Sequence, residues 1–400
     1  MKIIIKNNYI DPEDSYMEVV ERKGMGHPDT LADKLAEICS RTYSNYCLNK
    51  FGCVLHHNFD KLYIGAGCFR YENNKIVMYD KVKVYLNGRV SNTMNGENID
   101  VEAILVPVIK DYLKSVLPNL DVENELEIHI NATQNTKINN WFTPRNINDV
   151  PDAREIFSGD TSLCLASTGF TTCEKLCFEI EKFFFNRNEK GYPYPKFDDV
   201  GQDIKVMVSR IDKDVDITMC LPVYSYKYKT YEEYVEIIKK YERMINKLVM
   251  DIDNTSKYNY TININKFSDG AYYRYYSLVK GSCIECGEEG VVGRGNKSSG
   301  LISSFRPHTM EAPYGKNERY HTGRVLDFLC KELSEKIYNK YGIKNSIYCI
   351  ARNKNPLLKP YFFCISTKEN IEKAKVENLI RKIFDEKTYL KRILQQIDIY

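Results

Sequence analysis

Stretches with strand-like alternation, followed by long stretches of helical period, recur about three times along this chain. Alternating β-branched and aromatic residues predict strands over residues 61–69, 76–86, 126–130, 204–210, 216–221, 258–265 and 346–351. A 3.6-residue apolar period predicts helices over 30–48, 101–116, 174–184, 231–251, 324–341 and 369–384. That order favours α+β units, in which helices cover one face of largely antiparallel sheets. Four hundred residues accommodate roughly two to three domains. A chain of that length buries about three quarters of its unfolded surface, so neither disulfides nor a structural metal are required for folding. Polar loops are expected over 134–153, 186–201 and 280–319. The last is about forty residues of little periodicity, rich in Gly and basic side chains, and a loop that long is usually functional or disordered.

Charge excludes some partners. Lys plus Arg number 57 against 54 Asp plus Glu, so there is no broad cationic surface for nucleic acid. No apolar run approaches the ~20 residues that cross a bilayer. The N-terminal stretch turns polar at Lys6, too early for a secretory signal. Thirteen scattered cysteines then fit a reducing cytoplasm with free, mostly buried thiols. The Cys283-Ile-Glu-Cys286 pair lacks the second ligand pair of a zinc site.

Two segments carry chemistry. Glu21-Arg-Lys-Gly-Met-Gly-His27-Pro-Asp29 runs into the helix expected from Thr30. Pro28 suits the first turn and Asp29 complements the helix dipole. Asp29, Asp33 and Glu37 repeat every four residues on one face. They read either as solvated charges on an amphipathic helix or as a phosphate and magnesium site. The third Gly of a Rossmann fingerprint is missing.

The second segment, 287–300, holds five glycines around Arg294, Asn296 and Lys297. Its backbone N–H groups and cations could converge on one anion, although no P-loop spacing occurs. Arg306, Lys316, Arg319 and Arg324 follow before a helix. A run of charges is ordinarily a solvated surface; cations interleaved with Gly and His in a nonperiodic loop favour an oligophosphate site. Two smaller polar turns are Leu55-His56-His57-Asn58-Phe59-Asp60-Lys61 and Gly159-Asp160-Thr161-Ser162. Either could be an ordinary turn.

GMGHPD with its acidic helix, LHHNFDK, GDTS, GRGN, RPxxMEA and GKN…H together resemble methionine adenosyltransferase (S-adenosylmethionine synthetase), in the archaeal form of the family. The resemblance spans nearly the whole chain in the right order. It implies a three-domain α+β fold with pseudo-threefold symmetry and interleaved segments: residues 1–15 with 170–272, then 16–169, then 273–400. It implies a cytoplasmic homodimer with active sites at the interface, a higher oligomer remaining open. The implied reaction joins ATP and L-methionine, with Mg2+ as cofactor and K+ as a further candidate. Methionine sulfur attacks C5′ of ATP, and the released tripolyphosphate is hydrolysed to pyrophosphate and phosphate.

By the same resemblance His27, Arg294, Lys297 and Lys316 are catalytic, and Asp29 and Asp33 hold metal. ATP and its polyphosphate would meet His27, Asp160, Ser162, Arg294, Asn296, Lys297, Arg306, Lys316, Asn317 and His321. Methionine or adenosine would meet His57, Asp60, Lys61, Gln134 and Asp160. No cysteine is catalytic in this scheme. The chain departs from the family pattern at Glu288 and Glu289, at His308, at Pro313-Tyr314, at Glu318, at Cys164 and Ala166, and near Lys137. A paralogue acting on another thioether, or a weakly catalytic ATP-binding regulatory subunit, are the alternative readings.

Overall fold

The computed structural model describes residues 1–133, 140–150, 155–267, 269–272 and 275–396. Three separate sheets, each with helices on one face, organise three apolar cores. In the first unit the strand order is Leu126–Ile130, Val82–Leu86, Tyr63–Gly65, Gly290–Val291. Helices α1 (Pro28–Phe51) and α2 (Val101–Val116) pack there. In the second, the order is Asn259–Ile264, Asp214–Cys220, Lys205–Ile211, Met17–Lys23, Ile302–Ser303. Its helices are α3 (Thr172–Lys182) and α4 (Tyr231–Ile252). The third orders Lys2–Lys6, Phe362–Thr367, Asn345–Ile350 and Leu163–Thr168. Helices α5 (Thr322–Tyr341), α6 (Lys373–Ile383) and α7 (Tyr389–Gln395) belong to it.

The helices follow from their sequences. In α4, Tyr234, Ile238, Tyr241, Ile245 and Val249 form the buried stripe, with the spacing that keeps one helix face apolar. Thr230 caps it by accepting the Glu233 N–H, and Thr171 with Glu174 makes a reciprocal capping box on α3. Gly52 ends α1 at φ 71°, a left-handed turn that glycine adopts without penalty.

Strand pairing divides the chain differently from the expected spans. Lys2–Lys6 pairs in parallel with Phe362–Thr367, so the N-terminal segment belongs with the third sheet rather than with 170–272. Met17–Lys23 pairs with Lys205–Ile211 and joins the second sheet. Leu163–Thr168 pairs with Asn345–Ile350. Alternation marks a strand but does not name its partner, and partners here lie hundreds of residues apart. Segment 280–319 is also more ordered than a polar loop. It holds a 3-10 turn at Cys283–Glu285, strand Gly290–Val291 in the first sheet and strand Ile302–Ser303 in the second. Among the described residues no helix is long and apolar enough to cross a membrane.

Candidate active site

Helix α1 begins where the GMGHPD segment meets the glycine loop. His27 is its N-cap, and the ring Nδ1 accepts the Asp29 N–H at 3.2 Å. Gly24 and Gly26 are required by close approach: a Cβ on either would lie 2.5 Å from an atom of Ile204 or Gln202. Burial, with Lys23 and Lys205 close by, lowers the His27 pKa to about 4. The ring is therefore neutral near pH 7. Because Nδ1 accepts, its proton sits on Nε2.

Asp29, Asp33 and Glu37 are not solvated; they are 6%, 0% and 2% exposed. Lys23 donates to Asp29 Oδ2 at 2.9 Å and to the Arg294 carbonyl at 2.8 Å. The Val291 N–H donates to Asp29 Oδ1 at 3.1 Å, and the Gly293 N–H to Asp33 Oδ1 at 2.7 Å. Thus two N–H groups of the glycine loop already serve carboxylates of α1, where the sequence suggested N–H groups open to an external anion. Asp33 Oδ2 is buried without a hydrogen-bond partner among the described residues. Burial holds this carboxyl well above the usual range, consistent with the cost of an isolated buried charge. Gly295 is again dictated by proximity, since a Cβ there would lie 2.2 Å from Asp33 Oδ2.

Asn296 uses its amide on the backbone: Oδ1 accepts the Lys23 N–H at 3.0 Å, and Nδ2 donates to the Lys23 carbonyl at 2.7 Å. It fixes Lys23 and presents no free amide to a ligand. Arg294 is exposed. Lys297 is half-buried and its charge is felt at Asp33.

A second cluster gathers at the start of α5. The Lys316 ammonium donates to the Glu311 carboxylate. His321, at the N-cap, has a buried Nδ1 without a partner among the described residues, as does Thr322 Oγ1. Burial and the Lys316 charge lower the His321 pKa to about 4, opposed by Asp60, Glu311 and Asp160. The charges of all four groups are therefore felt at one ring. Gly293 faces Ala312, 3.3 Å from where its Cβ would stand, so the two clusters share a wall. Arg324 reaches across to Glu37 at 2.8 Å and ties α5 to α1.

Other expected ligands have structural partners. His57 is fully buried, with Nε2 2.9 Å from Ser40 Oγ and 3.5 Å from the Glu318 carboxylate. Asn317 is fully buried too; its amide donates to the Leu55 carbonyl at 2.9 Å and its oxygen accepts the Arg319 N–H at 2.9 Å. Arg306 forms a forked ion pair with Glu174 at 2.8 and 2.6 Å and donates to the Gly169 carbonyl. It lines a cavity of about 490 Å³ together with Lys297, Glu311, Asp327 and Lys331. Ala166 also lines this cavity, while Cys164 is buried beside it in the strand. Asp60 pairs with exposed Lys61 at 2.6 Å. Asp160 is exposed and accepts the Thr161 N–H, and Ser162 Oγ is buried without a partner among the described residues. Gln134 lies outside the described residues.

Lys23 and Glu311 were missed as site residues. Lys23 is six residues before Asp29 at the end of a strand, so its role depends on a strand-to-helix geometry that spacing alone does not reveal. Glu311 was visible only as part of RPxxMEA.

A buried helix start thus holds two aspartates against the backbone of a glycine loop, with Lys23 paired to the first of them. The family model described as S-adenosylmethionine synthetase (AdoMet synthetase) matches residues 2–398, and the chain belongs to that family. It is 34% identical over 366 residues to the S-adenosylmethionine synthase of Methanocaldococcus jannaschii, covering 90% of this chain and 86% of that one. The Picrophilus torridus S-adenosylmethionine synthase is 30% identical over 93% of this chain and 90% of its own length. An uncharacterized protein of Streptococcus pyogenes serotype M3 is 37% identical over 96% of this chain and 93% of its own. The fold is similar to that of an unusual S-adenosylmethionine synthetase from Campylobacter jejuni, with TM-score 0.51 at 14% identity. That match covers 95% of this chain and 94% of the other.

Proposed function

We propose that this chain makes S-adenosylmethionine from ATP and L-methionine, by attack of the methionine sulfur on C5′ of ATP. Tripolyphosphate leaves and is then hydrolysed to pyrophosphate and phosphate. The observation that carries this reading is the start of α1, where the His27 ring accepts the Asp29 N–H, Lys23 pairs with Asp29, and Asp33 Oδ2 is buried without a partner among the described residues. A thioether has no proton to lose, so its attack needs no general base. The difficulty lies in the leaving group, whose negative charge grows as the C5′–oxygen bond breaks. An uncharged Nε2–H donor can stabilise that oxygen without repelling the cations beside it. Arg294, Lys297 and Lys316 supply the compensating charge, and Glu311 gives up Lys316 to the polyphosphate.

Asp29 and Asp33 fit magnesium by donor type, and the unpartnered Asp33 Oδ2 leaves an oxygen for it. No group of three or more metal-ligating side chains is formed among the described residues. This suits a cation held by one or two carboxylates plus substrate phosphates. Bound there, magnesium would neutralise polyphosphate charge. In this reading Asp60 and Asp160, whose charges are felt at His321, would meet the methionine ammonium or the nucleoside.

We further propose a homodimer. The second sheet exposes Met17, Met207 and Ile211, at 44%, 36% and 55%, on the face opposite its helices, and apolar positions on an uncovered face favour burial by a partner. Light scattering should give twice the chain mass; a monomer at assay concentrations would remove the dimer from this reading.

The reaction is tested by incubating the protein with ATP, magnesium and methionine and weighing the sulfonium product. Formation of S-adenosylmethionine with phosphate and pyrophosphate is expected. ATP binding without any product would instead favour the regulatory reading, and a product only with another thioether would favour the paralogue.

A further inference from the structure

We propose that Cys283 and Cys286 are a reversible dithiol–disulfide pair, a modification site oxidised by a small-molecule disulfide. The two residues bracket a 3-10 turn at Cys283–Glu285, closed by the Cys286 N–H donating to the Cys283 carbonyl at 3.0 Å. In 3-10 geometry side chains three apart eclipse one another. A turn of this kind also brings its ends within the Cα separation that a disulfide spans. The Cys286 thiol in addition lies 3.4 Å from the Cys283 carbonyl. The turn can therefore close a disulfide with little movement of its backbone.

The pair also differs chemically from the other thiols. Among the described residues, Cys286 is the one exposed cysteine of thirteen. A hydrogen bond from the Cys283 thiol holds Cys286 below the usual thiol range and raises Cys283 in turn. Asp203, Glu285 and Glu288 all oppose a thiolate there, so the neighbouring thiol is what favours it. Burial pushes the thiols of Cys39, Cys47, Cys164, Cys177 and Cys330 upward instead. A partly exposed thiolate with a resolving thiol alongside is the arrangement that thiol exchange requires.

The turn is anchored on all sides. Ser282 Oγ donates to the Gly26 carbonyl at 2.6 Å, the Cys283 N–H to Asp203 Oδ2 at 2.8 Å, and the Gly67 N–H to the Ile284 carbonyl at 2.7 Å. Five residues beyond Cys286, Val291 reaches Asp29. The couple thus sits on the segment that braces the start of α1.

The exchange balances as follows. The Cys286 thiolate attacks one sulfur of glutathione disulfide and expels a glutathione thiolate, leaving a mixed disulfide on Cys286. Cys283, losing its proton, attacks the Cys286 sulfur and expels the second glutathione. The two thiol protons pass to the two released thiolates, so one disulfide is reduced as one is formed.

The full chain, reduced and then equilibrated in glutathione/glutathione disulfide mixtures, is alkylated and mapped by mass spectrometry. The expected result is a loss of two alkylable thiols confined to Cys283 and Cys286, joined to each other and regained with dithiothreitol. Cys68 faces Cys286 across an isolated bridge and is the rival partner; Cys68→Ser should leave the oxidised product unchanged. Cys283→Ser should trap glutathione on Cys286. A Cys68–Cys286 linkage, a lasting glutathione adduct in the wild-type chain, or no oxidation under mixtures that oxidise ordinary dithiols would each overturn the proposal. The wild-type map decides even if a variant fails to fold, and no step of it depends on the proposed reaction.

Discussion

Gly290 sets the distance between the glycine loop and the start of α1, and Gly290→Ala measures what that distance is worth. A Cβ on Gly290 would lie 2.1 Å from the Pro28 carbonyl oxygen and 2.5 Å from its carbon. Both are backbone atoms at the first position of α1, so no side-chain rotation relieves the clash. Reaching even a tight contact requires the loop to move by about 1 Å. That movement is enough to break the 3.1 Å bond from the Val291 N–H to Asp29. A lost hydrogen bond to a charged group costs ~1.5–3 kcal/mol, and a 1 Å misplacement at a reacting centre costs about 100-fold in rate. Gly290→Ala should therefore lower kcat by ~10- to 100-fold and destabilise the fold by about 2 kcal/mol. Gly65→Ala is the control: in a neighbouring strand of the same sheet its Cβ would meet nothing closer than 3.5 Å. The assay pairs product formation under saturating ATP and methionine with thermal unfolding of both variants. Wild-type turnover and stability in Gly290→Ala would refute the idea that this contact positions Asp29.

Lys316→Met should lower kcat by ~2–3 decades, the usual cost of one lost donor at a developing charge. It should leave the methionine KM nearly unchanged, and steady-state kinetics distinguishes this from a merely structural charge. Asp29→Asn should abolish most magnesium-dependent turnover while the fold persists, because Asn still accepts the Val291 N–H; magnesium titration with activity and melting readouts checks both halves. Burial raises the Asp203 pKa to about 7, above its unfolded value, so its contribution to stability is present at low pH and lost as pH rises toward 7. Asp203→Asn should consequently gain stability over wild type at pH 8 relative to pH 5, read from melting curves at the two pH values.

All six long helices were legible because their apolar stripes and caps are local. Six strands of the three main sheets escaped: Lys2–Lys6, Met17–Lys23, Leu163–Thr168, Gly290–Val291, Ile302–Ser303 and Phe362–Thr367. Met17–Lys23 places Glu18 and Arg22 on its buried face, so polar residues occupy core positions and the alternation is disguised. Gly290–Val291 and Ile302–Ser303 are two residues each, too short to show alternation, while Lys2–Lys6, Leu163–Thr168 and Phe362–Thr367 find their partners across the chain. In the site, His27, Asp29 and the glycine loop stood out because glycine, proline and charge are punctuation in a sequence. What escaped was who satisfies whom. That Asn296 serves the Lys23 backbone, and that Asn317 and His57 serve Leu55 and Ser40, depends on contacts between distant segments. The motif residues alone gave no means of separating a ligand-binding amide from one that holds the site's own backbone.

The parallel pairing of Lys2–Lys6 with Phe362–Thr367 also carries a consequence for biogenesis. Residue 2 is synthesised about 360 residues ahead of its partner in the register, residue 362. At a translation rate of ~5–20 residues per second, that wait lasts on the order of 20–70 s. The first two sheets can assemble on the ribosome meanwhile, since their strands end at Ile302–Ser303. The third cannot, and Ile3, Ile4 and Ile5 remain an apolar strand without a ladder partner until it forms, the kind of segment that invites aggregation or chaperone capture. Completion of the fold thus waits on synthesis of the distal sheet, and the early strand joins late rather than seeding folding.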